Sequence, residues 1–226
     1  MDDHLRMTFI RSNHKPKQEE SERSLPACGP AQACAVRLER YWRPPALVRL
    51  CRCARRLSCP AHPLRDEQAL ELNNRAHFKF CEPVNNWPEC ALNDTAISIP
   101  AEYQTMNPDE LEERHNQNKP MQPPKITFHC HCRYPYTWSL DLNSNNSSMH
   151  QYNCIELPSC ESGDFCGNVR DDLMSLYQSC LCPQKHICVH SGGIDYVNIS
   201  EILYTGKGKR AYCQRYDDGN DSYEDY

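Results

Sequence analysis

The stretch Phe128-His129-Cys130-His131-Cys132 (FHCHC) crowds two histidines and two cysteines side by side. As metal ligands they would mark an intracellular zinc protein. As one strand of a disulfide scaffold they would mark a secreted, cross-linked one. Structural zinc sites draw mostly on Cys-x2–4-Cys pairs, above all Cys-x2-Cys, whose short turn aims both sulfurs at one ion. The chain contains no Cys-x2-Cys, which also removes a thioredoxin-like redox motif. In a strand, residues i and i+2 share a face. Cys130 and Cys132 then offer two sulfurs to one side for two different partners, and His129 and His131 point to the other. The spacing favours disulfides. The zinc-binding alternative predicts free thiols and bound metal.

The pattern recurs. Cys28-x5-Cys34 precedes Cys51-x-Cys53-x5-Cys59, and Cys81 follows; Cys160-x5-Cys166 precedes Cys180-x-Cys182-x5-Cys188, and Cys213 follows. Between them lies a reduced version: Cys90, Cys130-x-Cys132 and Cys154. These sixteen cysteines leave no thiol over. The spacing predicts three Cys-x-Cys-centred units: 28–89, 90–159 (with a long spacer) and 160–213. They are flanked by a polar, disordered segment at 1–27 and an acidic, Tyr-rich tail at 214–226. Most bridges are expected within a unit, and none within a Cys-x-Cys; which cysteine pairs with which stays open, since six alone allow about 15 arrangements.

Composition agrees with a stapled chain. Leu, Ile, Val and Phe make up 38 of 226 residues, about 17%, below the ~20% at which highly charged chains lose order. Net charge is only −5, so repulsion does not enforce disorder, and bridges worth ~2–4 kcal/mol each can replace missing core. The expected fold is small and disulfide-rich, mainly short β-hairpins and loops, with one or two short helices. Helix candidates are the stretch opening at Asn107 (NPDELEER), with Pro108 in its first turn, and RDDLMSLYQSC (Arg170 to Cys180), with Leu173, Leu176 and Tyr177 at helical spacing. HFKFC, TFHCHC and YVNISEILY read as strands.

No run of about 18 apolar residues is present, so no transmembrane segment is expected. MDDHLRMTFIRSNHK carries charges where a secretory leader needs a 7–15-residue apolar run. Taken literally that says cytosolic; the cysteines outweigh it, and the expectation is an extracellular chain with an incomplete N-terminus. Sequons at Asn93, Asn145, Asn146, Asn198 and Asn220 are glycosylation candidates.

The segment from Cys34 to Cys59 carries seven arginines against the lone acid Glu39. Arg37, Arg40, Tyr41, Trp42, Arg43 and Arg49 are the candidate binding surface for an anionic partner, such as an acidic channel vestibule, a lipid headgroup or a glycosaminoglycan. Nucleic acid is not expected, because the chain is acidic overall and shows no recognition fold. In the tail, Tyr216, Tyr223 and Tyr226 stand among five acids, a pattern suited to tyrosine sulfation. GxSxG, HExxH and phosphate-cradling glycine loops are lacking. The pair His190-Ser191 has no context, so neither enzyme activity nor a cofactor is expected.

The segments CRCARRLSC, HFKFC, FHCHC, CESGDFC and CLCPQKHIC, in this order over residues 28–213, resemble scoloptoxin family eleven. These are secreted cysteine-rich proteins of centipede venom, with non-venom relatives in other arthropods. The resemblance implies eight disulfides, secretion and a non-enzymatic, toxin-like role, with ion-channel modulation as one action. Only the cysteines carry over. The function expected is a monomeric, secreted, stapled binding protein with an extracellular protein target. The alternative is an endogenous arthropod ligand, or an inhibitor of a protease or receptor.

Overall fold

The computed structural model describes residues 25–40, 43–61, 67–102, 107, 110, 113, 117, 123–142, 148–172, 174–193 and 196–216. They form thirteen strands in three antiparallel sheets. The first holds β1 (Ala33–Leu38), β2 (Ala46–Arg49), β3 (Ala69–Asn73) and β4 (Ala76–Phe80). The second holds β5 (Thr95–Pro100), β6 (Thr127–Phe128), β7 (Tyr136–Leu140) and β8 (Met149–Glu156). The third holds β9 (Phe165–Arg170), β10 (Leu176–Gln178), β11 (His186–Val189), β12 (Val197–Glu201) and β13 (Tyr204–Arg215).

The strand orders are β2-β1-β4-β3, β6-β5-β8-β7 and β10-β9-β13-β11, with β12 folded as a hairpin onto the first half of β13. One topology is therefore built three times. The first and last strands of each sheet are central, and the second and third lie at the edges. The repetition extends to single residues. Register shifts single out Cys34, Ala96 and Cys166 as the extra residue of a β-bulge, each six positions after the first cysteine of its unit. Residues ahead of that first cysteine pair in parallel with the middle residue of the Cys-x-Cys: Ala27 with Arg52, Glu89 with His131, Ser159 with Leu181.

A proline precedes each of these bridges, in LPAC, WPEC and LPSC. Its carbonyl accepts from the middle residue: Pro26 from Arg52 at 2.8 Å, Pro88 from His131 at 2.8 Å and Pro158 from Leu181 at 2.8 Å. A proline has no N–H to leave unpaired at such an outer position. Ala27 pairs with Arg52, and β13 runs through Gln214 and Arg215.

Core composition divides the molecule unequally. The first two sheets share one apolar core, centred on Phe78 and Phe80 of β4, Phe128 of β6 and the indoles of Trp87 and Trp138. Phe128 is its hub, with ring centroids 5.0 Å from Phe78, 5.0 Å from Phe80 and 6.1 Å from Trp138, mostly edge to face. The backbone joins the same two units: Ala33 N–H donates to the Ile126 carbonyl (3.1 Å) and Phe128 N–H to that of Ala31 (2.9 Å). Tyr177, Ile202 and Leu203 of the third unit complete this core. The third sheet's own cluster is small, Val169 and Ala211 with its sulfurs, and Ile199, Tyr204 and Arg170 are buried outside it.

The helix expectation needs correction. The segment 170–180 is not a helix: the chain turns after β9 and returns as β10, pairing Leu176 with Val169 and Gln178 with Gly167. Gly167 permits the approach, since a Cβ there would lie 2.3 Å from the Tyr177 carbonyl oxygen. The helix candidate opening at Asn107 falls mostly outside the described residues, and no helix is delimited among those described. No described helix is long and apolar enough to cross a membrane.

Candidate functional site: stapled loops and the surfaces they carry

All sixteen cysteines are bridged. In the first unit Cys28 pairs with Cys51, Cys34 with Cys59 and Cys53 with Cys81. The third repeats this with Cys160–Cys180, Cys166–Cys188 and Cys182–Cys213. The second keeps two of the three, Cys90–Cys130 and Cys132–Cys154. Every Cys-x-Cys sends one sulfur back to the start of its unit and the other forward to its end. No bridge crosses between units.

FHCHC is thereby resolved. Both of its sulfurs are in disulfides and nearly buried, while Phe128 fills the shared core. His129 turns outward and its Nε2 lies 2.9 Å from the Ser98 hydroxyl. Burial lowers the His131 pKa, which favours the neutral ring. Where three sulfurs crowd together, as at Cys34, Cys53 and Cys59, each is already in a disulfide, so no thiolate remains for a metal.

The loops share hydrogen bonds that the cysteine spacing does not announce. After the first cysteine, Asp94 accepts from the Ala91 N–H (2.8 Å) and Asp164 from the Glu161 N–H (2.8 Å); Gln32 plays the same part for Gly29. Ala31, Asn93 and Gly163 occupy the matching left-handed position in each turn, with φ of 51°, 68° and 85°. After each Cys-x-Cys a second turn closes by Leu57 N–H to Ala54, Tyr136 N–H to Arg133 and His186 N–H to Pro183. Asn93-Asp94 and Gly163-Asp164, three and four positions beyond the first cysteine, were the available signal in the second and third units, while Ala31-Gln32 in the first carries none.

The arginines of the first unit divide by environment. Arg37 is largely buried, bonded to Glu39 (2.6 Å) and to the Ala61 carbonyl (3.0 Å). Arg49 donates to the Cys59 carbonyl (3.1 Å), and Arg40 to that of Pro44 (2.8 Å). Arg43 is exposed at the β1–β2 connection. Tyr41 and Trp42 lie outside the described residues. Beyond this set, Arg52, Arg55 and Arg56 stand exposed on the Cys51–Cys59 loop.

Of the sequon asparagines, Asn93 is exposed in its turn and Asn198 is exposed on β12, beside Phe165 and Arg210 along an open groove. Asn145, Asn146 and Asn220 lie outside the described residues, as do Tyr223 and Tyr226; Tyr216 is exposed at the end of β13. His190 donates through Nδ1 to the Arg210 carbonyl (3.1 Å).

The third unit also buries a charge cluster. Arg170, 1% exposed, makes a two-pronged contact with Asp172 (2.6 Å each) and lies 3.9 Å over the Tyr204 ring. Burial works against its charge, yet bonding to Asp172 holds its pKa above the ordinary value. Burial pushes Tyr177 up to about 12, and its hydroxyl donates to the Ile202 carbonyl (3.1 Å). Burial also raises Glu201, which accepts from Asn168 (2.8 Å). These contacts join β9 to the turn before β13.

No protein-family model matches the chain, and no curated protein sequence does. Among solved structures, the crystal structure of unliganded Argos is similar, with 20% identity over 87% of this chain and 95% of that one and a TM-score of 0.48. At that score the likeness assigns no function.

Proposed function

We propose that the chain is an extracellular, non-enzymatic binding protein that holds a protein target against its stapled units. Eight disulfides without a free cysteine are the chemistry of an oxidising compartment. The observation that carries the binding role is a set of exposed apolar side chains at the two ends of β7 and in the turns that flank it, on either side of the core-packed Trp138. Tyr134 is 79% exposed, Tyr136 40%, Leu140 39% and Leu142 85%. Large aromatic and aliphatic side chains of this kind form the desolvated centre of interfaces. β7 ends the second sheet, which leaves one side of its backbone open to an added strand. The bridges Cys90–Cys130 and Cys132–Cys154 fix its base, so little ordering entropy opposes binding.

The finer reading is a toxin-like ligand of an ion channel, supported by the cysteine order shared with scoloptoxin family eleven. Protein made through a secretory pathway would be applied to cells expressing single channels while currents are recorded, and in parallel to an array of extracellular ligands, receptors and proteases. Altered current that is lost in Tyr134→Ser/Leu142→Ser supports the channel reading. Binding to a ligand, receptor or protease without any current change replaces it by the endogenous-ligand or inhibitor role. Binding that is indifferent to the double variant sinks β7 as the contact.

A further inference from the structure

The loop Cys51-Arg52-Cys53-Ala54-Arg55-Arg56-Leu57-Ser58-Cys59 is stapled as densely as its counterpart Cys180–Cys188 in the third unit. Its three cysteines go to three different partners, Cys28, Cys81 and Cys34. Arg52 is further fixed through its backbone, donating to the Pro26 carbonyl (2.8 Å) and accepting from the Cys28 N–H (2.9 Å). The Leu57 N–H closes a turn onto Ala54 (3.1 Å), with Arg56 held at φ 73°. Arg52, Arg55 and Arg56 are all exposed, and their side chains meet no partner among the described residues. No acid occurs in sequence between Glu39 and Asp66; across the Cys53–Cys81 bridge the next acid is the exposed Glu82. Neighbouring Arg37 and Arg49 instead bond the carbonyls of Ala61 and Cys59 and so hold the loop's far end down.

We infer that this loop is a binding site for a sulfated polysaccharide of the glycosaminoglycan class. Arg52, Arg55 and Arg56 fall within five residues of one loop whose course the disulfides fix, and no ion pair engages them among the described residues. An anionic chain binds them by replacing the counterions around them. The basic residues from Cys34 to Cys59 are all arginine and none lysine. Arginine's planar fork suits the paired oxygens of sulfate. Leu57 is the one large apolar side chain within the loop. A protein interface needs a desolvated apolar centre, whereas a polyanion needs charge alone. The site is independent of the β7 surface, so either proposal survives the other's failure.

The test is salt elution of the full chain from immobilised heparin. With a net charge of −5, the protein as a whole is repelled, so retention reports a local patch. Wild type should stay bound at about 0.15 M salt. Arg52→Gln/Arg55→Gln/Arg56→Gln should elute much earlier, its log K against log salt slope shallower by about 2 to 3, as counterion release predicts for three lost contacts. Lys125→Gln/Arg133→Gln/Lys185→Gln loses equal charge elsewhere and should elute with wild type. Non-reducing mass confirms that each variant keeps its bridges. The inference is overturned if wild type is not retained, or if the two variants shift alike. Equal retention on poly-glutamate or on phosphatidylserine vesicles, or full competition by desulfated heparin, also overturns it, and would assign the loop to an acidic peptide, a membrane or a carboxylate polymer.

Discussion

In the third unit the bulge residue Cys166 is tied to Cys188 across the sheet, and in the first Cys34 is tied to Cys59. In the second unit the same two positions, six residues after Cys90 and six after Cys132, hold Ala96 and Trp138. Ala96 is fully buried, and Trp138 lies across from Cys154 in the register, as Cys188 lies across from Cys213. The indole then does by packing what the bridge does by bonding, with ring centroids 6.0 Å from Phe78 and 6.1 Å from Phe128. The second unit thus replaces one staple by a ring packed on the shared core, whereas the first unit, which lends Phe78 and Phe80 to that core, keeps all three. The third unit has Val169, Ala211 and little else in its own cluster, and keeps all three.

The largest effect is expected from breaking the third unit where it has no substitute. Cys166→Ala/Cys188→Ala opens a loop of 22 residues and should cost about 4 kcal/mol, combining lost chain restriction with poor packing. Hydrogen exchange should show β9 to β13 opening separately from the rest. Cys34→Ala/Cys59→Ala opens a similar loop of 25 and should cost about 3 kcal/mol, without such local opening. Equal costs and equal exchange would remove the supposed role of the shared core.

Trp138→Ala comes next, at about 3 kcal/mol, the low end for a large aromatic because Trp138 is only half-buried. Denaturant melts check it, and a loss under about 1 kcal/mol would mean the indole does not replace the bridge. A sharper version restores the bridge itself. Ala96→Cys/Trp138→Cys should form a ninth disulfide, seen as two further hydrogens lost by mass, with stability within about 1 kcal/mol of wild type as the cross-link offsets the lost ring. Two free thiols at those positions would show that the equivalence is one of spacing alone.

The smallest effect concerns pH. Burial lowers the His77 pKa from 6.5, and its Nδ1 has no hydrogen-bond partner among the described residues. The unfolded chain therefore binds a proton that the folded one refuses, so stability rises with pH through this window and is lost as pH falls below about 6.5. His131 shifts the same way in the second unit. Melting at about pH 7.5 and about 5.5 should show a drop for wild type and a smaller one for His77→Gln. An identical drop in both proteins would clear His77.

The sheets were legible because bridges impose spacing and spacing is visible in a string of letters. HFKFC reads as a strand, and its last two aromatic side chains are core. RDDLMSLYQSC misleads because Leu176 and Tyr177 suit either a helix or a strand over so short a span. What decides is Gly167 on another strand, whose missing Cβ admits β10. Ala96 and Trp138 could not be read as a lost bridge without the register, which aligns them with cysteines. The arginines show the same limit. Charge density was plain from sequence, yet Arg37 and Arg49 are engaged with backbone carbonyls while Arg52, Arg55 and Arg56 are open. Only the course of the loop separates them.

Bridges confined to 28–81, 90–154 and 160–213 also bear on how sixteen thiols find their mates. Free choice among them would offer on the order of two million complete pairings; three closed sets of six, four and six offer roughly 700. A chain emerging N-terminus first exposes each set in full before the next begins. Oxidation can then finish block by block, and an early block need never wait for sulfur still to come. Covalently, the mature molecule is three separate knots on one string, so a single backbone cut in either connector would divide it under denaturing conditions without any reductant.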